Sequence, residues 1–549
     1  MSVSQVELLK VSALAGMILA LSCLPYLLGY LLAPEELVFG GFLPFDREDA
    51  NTYLAVMQQG ARGSWRFHLL YTPEEHEGAY IYFFYLALGH LSAALGIPLL
   101  LAYQVARVLG GFALLVSAYF FIAYFVRLRV VRWWAFVLVC FSSGLGWLIA
   151  LAYGSPELGG VSPIDFWLMD AYTFFTLLLF PHFCLAMAML YWIFIFALEF
   201  FRRKSLSAWA GMAGSALILA LVNPYVLLIA GAVLGVYWAV AWGLRRAFPL
   251  AEAGALAGLG FILAPLLTWY WHGINSDPVM RAFSEQDVVP SLSPFHYMAG
   301  YGLVFLLALG GAICIFRRRR EKELFLIVWL LVVAVGLYMP FRLQRRMITG
   351  LHVPLCTLAA LGLFRYVLPA VRRSRVALWL EKNISYRRRR LRFLALNLIV
   401  MLTFISNIYL LLWAVIYIAT GHPAIYHYAA EAEAIDWLKG NSRPEETILS
   451  SYAVGNYIPA RVGHRVVWGH WNETINVGEK RMAALAFFHA GTSDEARLGI
   501  LRRYGVVYLF YGPREREMGD FEPEGKPYLA KVFSKGEVTI YRVEQPAGR

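Results

Sequence analysis

The sequence predicts a polytopic α-helical membrane protein with an extracytoplasmic α/β domain at its C-terminal end, and three observations lead there. Of 549 residues, 60% are apolar and only 15% charged, against about 25% charged in ordinary soluble domains. The apolar residues gather in runs such as 11–32, 109–125 and 394–419, each near the ~20 residues that cross a bilayer as a helix. The net charge of +12 is confined to the membrane part, because residues 424–549 hold 16 basic and 16 acidic groups. A soluble enzyme and a secreted disulfide scaffold are thereby excluded, and no nucleic acid is needed to explain the basic excess.

Eleven spans follow in order: 10–32, 103–126, 134–152, 174–200, 207–222, 224–243, 252–271, 297–316, 324–340, 349–368 and 393–419. With the N-terminus in the cytoplasm, the loops beginning at Arg127, Arg202, Arg245, Arg317 and Pro369, together with Lys10, carry 23 Lys and Arg. The opposite loops carry seven: Arg47, Arg62, Arg66, Arg281, Arg342, Arg345 and Arg346. That asymmetry sets the orientation, and one span more or fewer would destroy it. It puts the protein in the cytoplasmic (inner) membrane with its C-terminal domain outside. The single Lys10 before the first run, with no small-residue cleavage site, reads as a retained span and not a removed leader. All five cysteines (Cys23, Cys140, Cys184, Cys314, Cys356) fall in apolar runs without CxxC spacing, as small buried hydrophobes do.

Residues 1–423 thus read as the transmembrane domain and 424–549 as a soluble α/β domain. The first outward loop, 33–102, holds eight acids and an apolar stretch, Tyr80–Pro98. Counting that stretch as a span would put the arginine clusters outside, so it is expected to be an interfacial helix. The loop 272–296, rich in Pro and Ser, is expected to be mobile. In the tail, helical patterns at 427–439 and 493–503 alternate with strand patterns at 506–511 and 538–543. No internal repeat of the transporter kind is evident.

Charged groups beside or within spans are costly and usually functional, and four clusters qualify. Asp46-Arg47-Glu48-Asp49, soon after the first span, opens an amphipathic helix that carries Tyr53. Three carboxylates there suit a base or a metal ligand; the alternative is a solvated loop with a capping acid. Asp165 and Asp170 flank the entrance to the fourth span, with His182 about two turns deeper. Arg342, Arg345 and Arg346 lie outside, against the positive-inside pattern, and arginine forks suit phosphate oxygens; pairing with the first loop's acids is the alternative. Arg107, near the outer end of the second span, either joins that phosphate site or snorkels. Asn223-Pro224-Tyr225 reads as a tight turn, and His470-Trp471-Asn472-Glu473-Thr474 as a structural loop that contains a formal glycosylation sequon.

Together these parts resemble the GT-C superfamily of integral-membrane glycosyltransferases, whose members include protein O-mannosyltransferases, aminoarabinose transferases and oligosaccharyltransferase catalytic subunits. The resemblance covers the chain as an architecture: one span, a long outward loop with an acidic motif, many further spans and an outward α/β domain. At motif level it rests on Glu48-Asp49 with Tyr53, on Asp170 and His182, and on Arg345-Arg346, and it is closest to bacterial mannosyltransferase-like members. A WWD-type motif is absent: Trp133-Trp134-Ala135 sits at the cytoplasmic end of the third span.

The resemblance implies inverting transfer of a sugar from a polyprenyl-phosphate donor to a hydroxyl of a glycan, lipid or protein in the cell envelope. Nucleotide sugars are cytoplasmic while these acids face outward, so an activated donor must arrive on a lipid. A carboxylate (Asp49 first, then Glu48 or Asp46) would deprotonate the acceptor, and arginines would stabilise the leaving phosphate. No cofactor is assigned, and a divalent metal is left open. Acids, arginines, Tyr53, Asp165, Asp170 and His182 are expected to line one outward cavity, with the tail selecting the acceptor but supplying no catalytic group. The competing reading is a transporter or flippase of a lipid-linked saccharide.

Overall fold

The computed structural model describes residues 3–153, 161–318, 320–384 and 388–544. Of the loops expected on the cytoplasmic side, Arg319 and residues 385–387 lie outside the described residues. The chain forms two compact units.

One unit comprises Met1–Leu24, Ala106–Leu266 and Val289–Val415. Each of the eleven expected spans is helical. Across the described residues of the chain, eight helices are long and apolar enough to cross a membrane, and a ninth span is a bent pair. The remaining two, Leu206–Val222 and Glu321–Gly336, have 17 and 16 residues, about 24–26 Å at 1.5 Å per residue and so short of a ~30 Å hydrocarbon core. The bent pair is Arg129–Phe141 and Gly146–Tyr153, which meet at 46°. A bend frees backbone donors that need partners, and Asp165 supplies them by accepting from Gly144 N at 3.1 Å and Gly146 N at 3.0 Å. The expected span 174–200 is likewise interrupted, with Thr173–Leu179 ending just before Pro181 opens Pro181–Arg203. Proline lacks the N–H that would continue the ladder and fits the first turn of a helix. The basic ends of these helices meet acids nearby: Glu7 pairs with Arg129 and Arg132, and Arg245 with Glu252 and Glu321.

The other unit comprises Pro25–Val105, Leu267–Val288 and Ile416–Arg549, so the first outward loop and the tail fold together. Leu37–Phe39 (β1) pairs antiparallel with Tyr426–Tyr428 (β2). Thr447–Leu449 (β3), Val506–Tyr511 (β4), Leu529–Lys535 (β5) and Val538–Val543 (β6) form a sheet in the order β3-β4-β6-β5. Only β3 and β4 run parallel. The strand patterns at 506–511 and 538–543 and the helices Ala429–Asn441 and Asp494–Arg503 match the tail's sequence patterns, whereas β1, β2, β3 and β5 carried too few residues or too mixed a pattern to be anticipated. The segment expected to be mobile contains the helix Pro278–Gln286, whose start is fixed by Asp277 accepting from Val279 N and Met280 N. An aspartate cap followed by Pro at the first position is a strong start signal.

The acidic motif opens the helix Arg47–Ala61, which packs on Phe83–Leu95, the 13-residue helix within the stretch expected to be interfacial. The two approach closely because each presents glycine. A Cβ on Gly60 would lie 2.2 Å from Leu86 O, and one on Gly89 2.2 Å from Met57 O. Gly60→Ala should therefore force the helices apart and cost about 1–3 kcal/mol, read as a lowered thermal unfolding midpoint in detergent relative to Gly499→Ala. Gly499 is also helical, in Asp494–Arg503, with open space around its Cβ position, so it controls for the change in helix propensity.

Candidate functional site

Asp46 has φ 45°, in the left-handed region, which Asp tolerates better than most residues. The chain turns there, and Arg47–Ala61 begins with Glu48 and Asp49 in its first turn, where the positive end of the helix dipole favours anions. Asp49 Oδ1 lies 3.1 Å from His470 Nε2. The Tyr452 hydroxyl donates to Glu48 Oε2 at 2.5 Å. Asn51 Nδ2 donates to Asn456 Oδ1 at 2.7 Å, and the Tyr71 hydroxyl to Asn456 O at 3.1 Å. Asp49 keeps 26% of its side chain open to solvent while His470 keeps 4%, so of this pair the carboxylate is the one solvent can reach.

The ring of His470 is oriented from behind. Its Nδ1 accepts from Asn472 N at 3.1 Å and Glu473 N at 3.0 Å, which fixes the neutral tautomer with its proton on Nε2, donated to Asp49. Burial opposes charge on the ring, but the Asp49 hydrogen bond and the fields of Glu473, Asp49 and Glu48 outweigh it and raise its pKa. A second proton on Nδ1 would nonetheless face two N–H donors. Burial, aided by Asp49 and Asp287 and opposed by His470, pushes Glu473 up to about 7. The turn that holds His470 is itself fixed, since Thr474 Oγ1 accepts from Gly469 N and His470 N and Gln286 Nε2 donates to Thr474 O at 3.2 Å and to Asn472 O. A Cβ on Gly469 would lie 2.4 Å from the Gly455 backbone, so the turn and the helix Tyr452–Val462 touch backbone to backbone. Asn472 and Thr474 are buried, which leaves the formal sequon no access.

The arginines belong to the other unit. Arg346 lies 3.7 Å from the buried Asp170, whose Oδ2 also accepts from Thr349 Oγ1 at 3.0 Å. The Arg346 guanidinium sits 5.5 Å from the Phe183 ring and 6.0 Å from that of Tyr225, and Arg345 lies 4.6 Å from the Trp167 ring, distances at which cations and aromatic faces attract. Asp170 Oδ1 has no hydrogen-bond partner among the described residues. The short 344–348 turn is tied to Val289 through Arg345 N to Val289 O at 3.2 Å, and Arg342 O accepts from Val289 N at 2.9 Å.

Of the residues singled out from the sequence, Glu48 and Asp49 share the first turn of one helix and Asp170 lies beside Arg346. His182 is buried against Phe180 and Phe183. Tyr53 is buried and stacks on Tyr85 at 4.3 Å, Asp165 clasps the helix bend, and Arg107 is buried with its guanidinium on Ser22, Leu177 O and Cys23. The tail was expected to supply no catalytic group; two of its side chains nonetheless touch the acids, His470 at Asp49 and Tyr452 at Glu48. Tyr452, Thr349 and Asp287 were missed, and Tyr225 was read only as part of a turn. Tyr452 had one usable signal, a short apolar run (447–449) ending in Ser-Ser-Tyr, since α/β sheets bind ligands at the carboxyl ends of parallel strands. Among the described residues no group of three or more His, Cys, Asp or Glu is arranged to hold a metal ion.

The raised pKa of Glu473 has a consequence for stability. A carboxyl that binds its proton more tightly folded than unfolded stabilises fully below its unfolded value, near 4.5, and loses that contribution as pH rises through about 7. The loss is of order ~3 kcal/mol. Glu431, pushed up to about 7 mainly by burial, acts in the same direction. Burial lowers the pKa of His68, His76, His427 and His464, and these gain stability as pH rises toward 6.5. The carboxyl is therefore tested by difference: between pH 4.5 and 8 the thermal unfolding midpoint of Glu473→Gln should fall less, or rise more, with pH than that of the parent protein.

No protein-family model and no curated protein matches the sequence. Solved structures do. ArnT from Cupriavidus metallidurans bound to undecaprenyl phosphate is 12% identical with a TM-score of 0.53, over 98% of this chain and 100% of that one. The arabinofuranosyltransferase AftD from Mycobacteria is 17% identical with a TM-score of 0.52, over 100% of this chain and 42% of that one. The Archaeoglobus fulgidus oligosaccharyltransferase is 13% identical with a TM-score of 0.49, over 91% and 69%. At such identities the likeness speaks for the fold, and with eight or more spans and a C-terminal sheet domain this chain is a multi-pass membrane protein with the fold of the GT-C glycosyltransferases.

Proposed function

We propose that the chain is a membrane glycosyltransferase that moves a sugar from a polyprenyl-phosphate donor to an acceptor hydroxyl on the extracytoplasmic side of the cytoplasmic membrane. The observation that carries this reading is a solvent-reachable carboxylate, Asp49, held by a histidine whose tautomer is fixed, in a chain of this fold. The similar ArnT is bound to undecaprenyl phosphate, which is the chemistry expected of the donor's leaving group.

In the proposed reaction Asp49 takes the proton of the acceptor hydroxyl as its oxygen attacks the anomeric carbon. The bond from that carbon to the phosphate oxygen breaks on the opposite face, so configuration inverts, and polyprenyl phosphate leaves with the electron pair. Asp49 ends protonated. His470 is a positioning residue: its Nε2–H holds one oxygen of Asp49 and stabilises the carboxylate before the proton arrives. Glu48, bound to Tyr452, is the alternate base, and Asp46 at the strained turn sets where the helix begins. Arg345, Arg346 and Arg342 are assigned to the donor phosphate, with Asp170 holding Arg346. Arg107, with its guanidinium buried on three acceptors, is assigned to packing.

Purified protein in vesicles should release polyprenyl phosphate from a polyprenyl-phosphate hexose, mannose or glucose, in the presence of acceptor. Asp49→Asn should lower kcat by about 10²-fold with donor KM little changed, and Arg345→Ala or Arg346→Ala should raise donor KM. Flipping of the donor lipid without turnover would establish the transporter reading instead. Near-normal activity in Asp49→Asn with an inactive Glu48→Gln would move the base to Glu48.

A further inference from the structure

A cavity of 660 Å³ opens in the unit formed by the first loop and the tail, within the roughly 300–1,000 Å³ typical of small-molecule sites. It lies where the parallel strands β3 and β4 end: Ser451 and Tyr452 follow β3, and Arg514 and Glu517 follow β4. Crevices beyond the carboxyl ends of parallel strands are where open α/β sheets bind ligands. Its wall is aromatic. Trp468 is pinned by its Nε1 donating to Ser450 O at 2.9 Å, and its ring meets that of Tyr452 at 5.2 Å. Trp471, in the turn that carries His470, is 49% exposed, so part of its indole is open to a ligand in the cavity.

The cavity joins the candidate reacting acids through one side chain, because the Tyr452 hydroxyl on its wall is the group that donates to Glu48. Arg514 is held by Glu431 at 3.2 Å. Arg481 and Glu517 remain, one of each sign, and neither makes an ion pair among the described residues. An open donor and an open carboxylate together suit a ligand that both accepts and donates hydrogen bonds, and the carboxylate disfavours an anionic one. A neutral ring with apolar C–H faces and hydroxyl edges fits on every count: its faces lie on indole, its hydroxyls donate to Glu517 and accept from Arg481.

We propose that this cavity binds a neutral saccharide, so that the acceptor of the reaction is a glycan hydroxyl. The inference rests on the glycosyltransferase reading, but binding can be measured without donor.

The test is a ligand-observed NMR titration of the full-length protein in detergent with α-mannotriose, with maltotriose, and with an uncharged serine-containing hexapeptide. At least one trisaccharide should bind saturably, at about millimolar Kd or tighter, and more tightly than the peptide. Trp471→Ala should weaken it about tenfold, which is 1.4 kcal/mol and within reach of one aromatic contact. The exposed Arg481→Gln should weaken it too, with an unchanged melting midpoint as the check that folding is intact. No saturable binding of either trisaccharide, tighter binding of the peptide, or affinities unchanged in both variants would overturn the proposal. Saccharide binding in a chain that never turns over donor would fail the transferase reading alone, whereas turnover without saccharide binding would fail this inference alone.

Discussion

One hydrogen bond, from His470 Nε2 to Asp49 Oδ1, joins residues 421 positions apart, and contacts throughout the unit formed by the first loop and the tail hold its two ends. Asp49 is presented by the first turn of a helix whose other end packs glycine to glycine on its neighbour. His470 is presented by a turn whose backbone lies against Gly455, whose amides are bound by Thr474, and whose carbonyls are bound by Gln286. Three stretches of chain that are remote in sequence thus converge on one carboxylate. A charge-assisted bond with so little freedom at either end loses little entropy on forming.

The electrostatic character of this unit follows from burial. Glu473 lies under the same turn, close to His470, Asp49 and Asp287, and is pushed up to about 7. His470 gives Nε2–H to Asp49 while backbone N–H groups occupy its Nδ1. Burial raises the Glu473 carboxyl and the Asp49 hydrogen bond outweighs burial to raise the His470 ring, so both groups bind a proton more readily than they would in water.

The membrane unit solves a different problem. Polar groups within apolar surroundings need partners, and three that the sequence singled out have definite ones. Asp165 closes the backbone at a helix bend, Arg107 bonds a hydroxyl, a carbonyl and a thiol, and Asp170 meets Arg346 and Thr349. Arg345 and Arg346 lie over aromatic faces, an arrangement that holds a guanidinium without neutralising its charge.

By itself the sequence determined the membrane class, the positions of all eleven helical stretches, the α/β character of the tail and the two clusters of Glu48-Asp49 and Arg345-Arg346. These are properties of hydropathy and local period, which depend on residues within a turn or two of each other. Only tertiary structure decided that the first loop folds with the tail, that β1 pairs with β2, that Tyr452 bonds Glu48 and that His470 is fixed in one tautomer on Asp49. It also decided that Arg107 and Asp165 are built into helix packing. Each of those outcomes is a contact between groups dozens to hundreds of positions apart, and no periodicity records which distant backbone will present the matching donor.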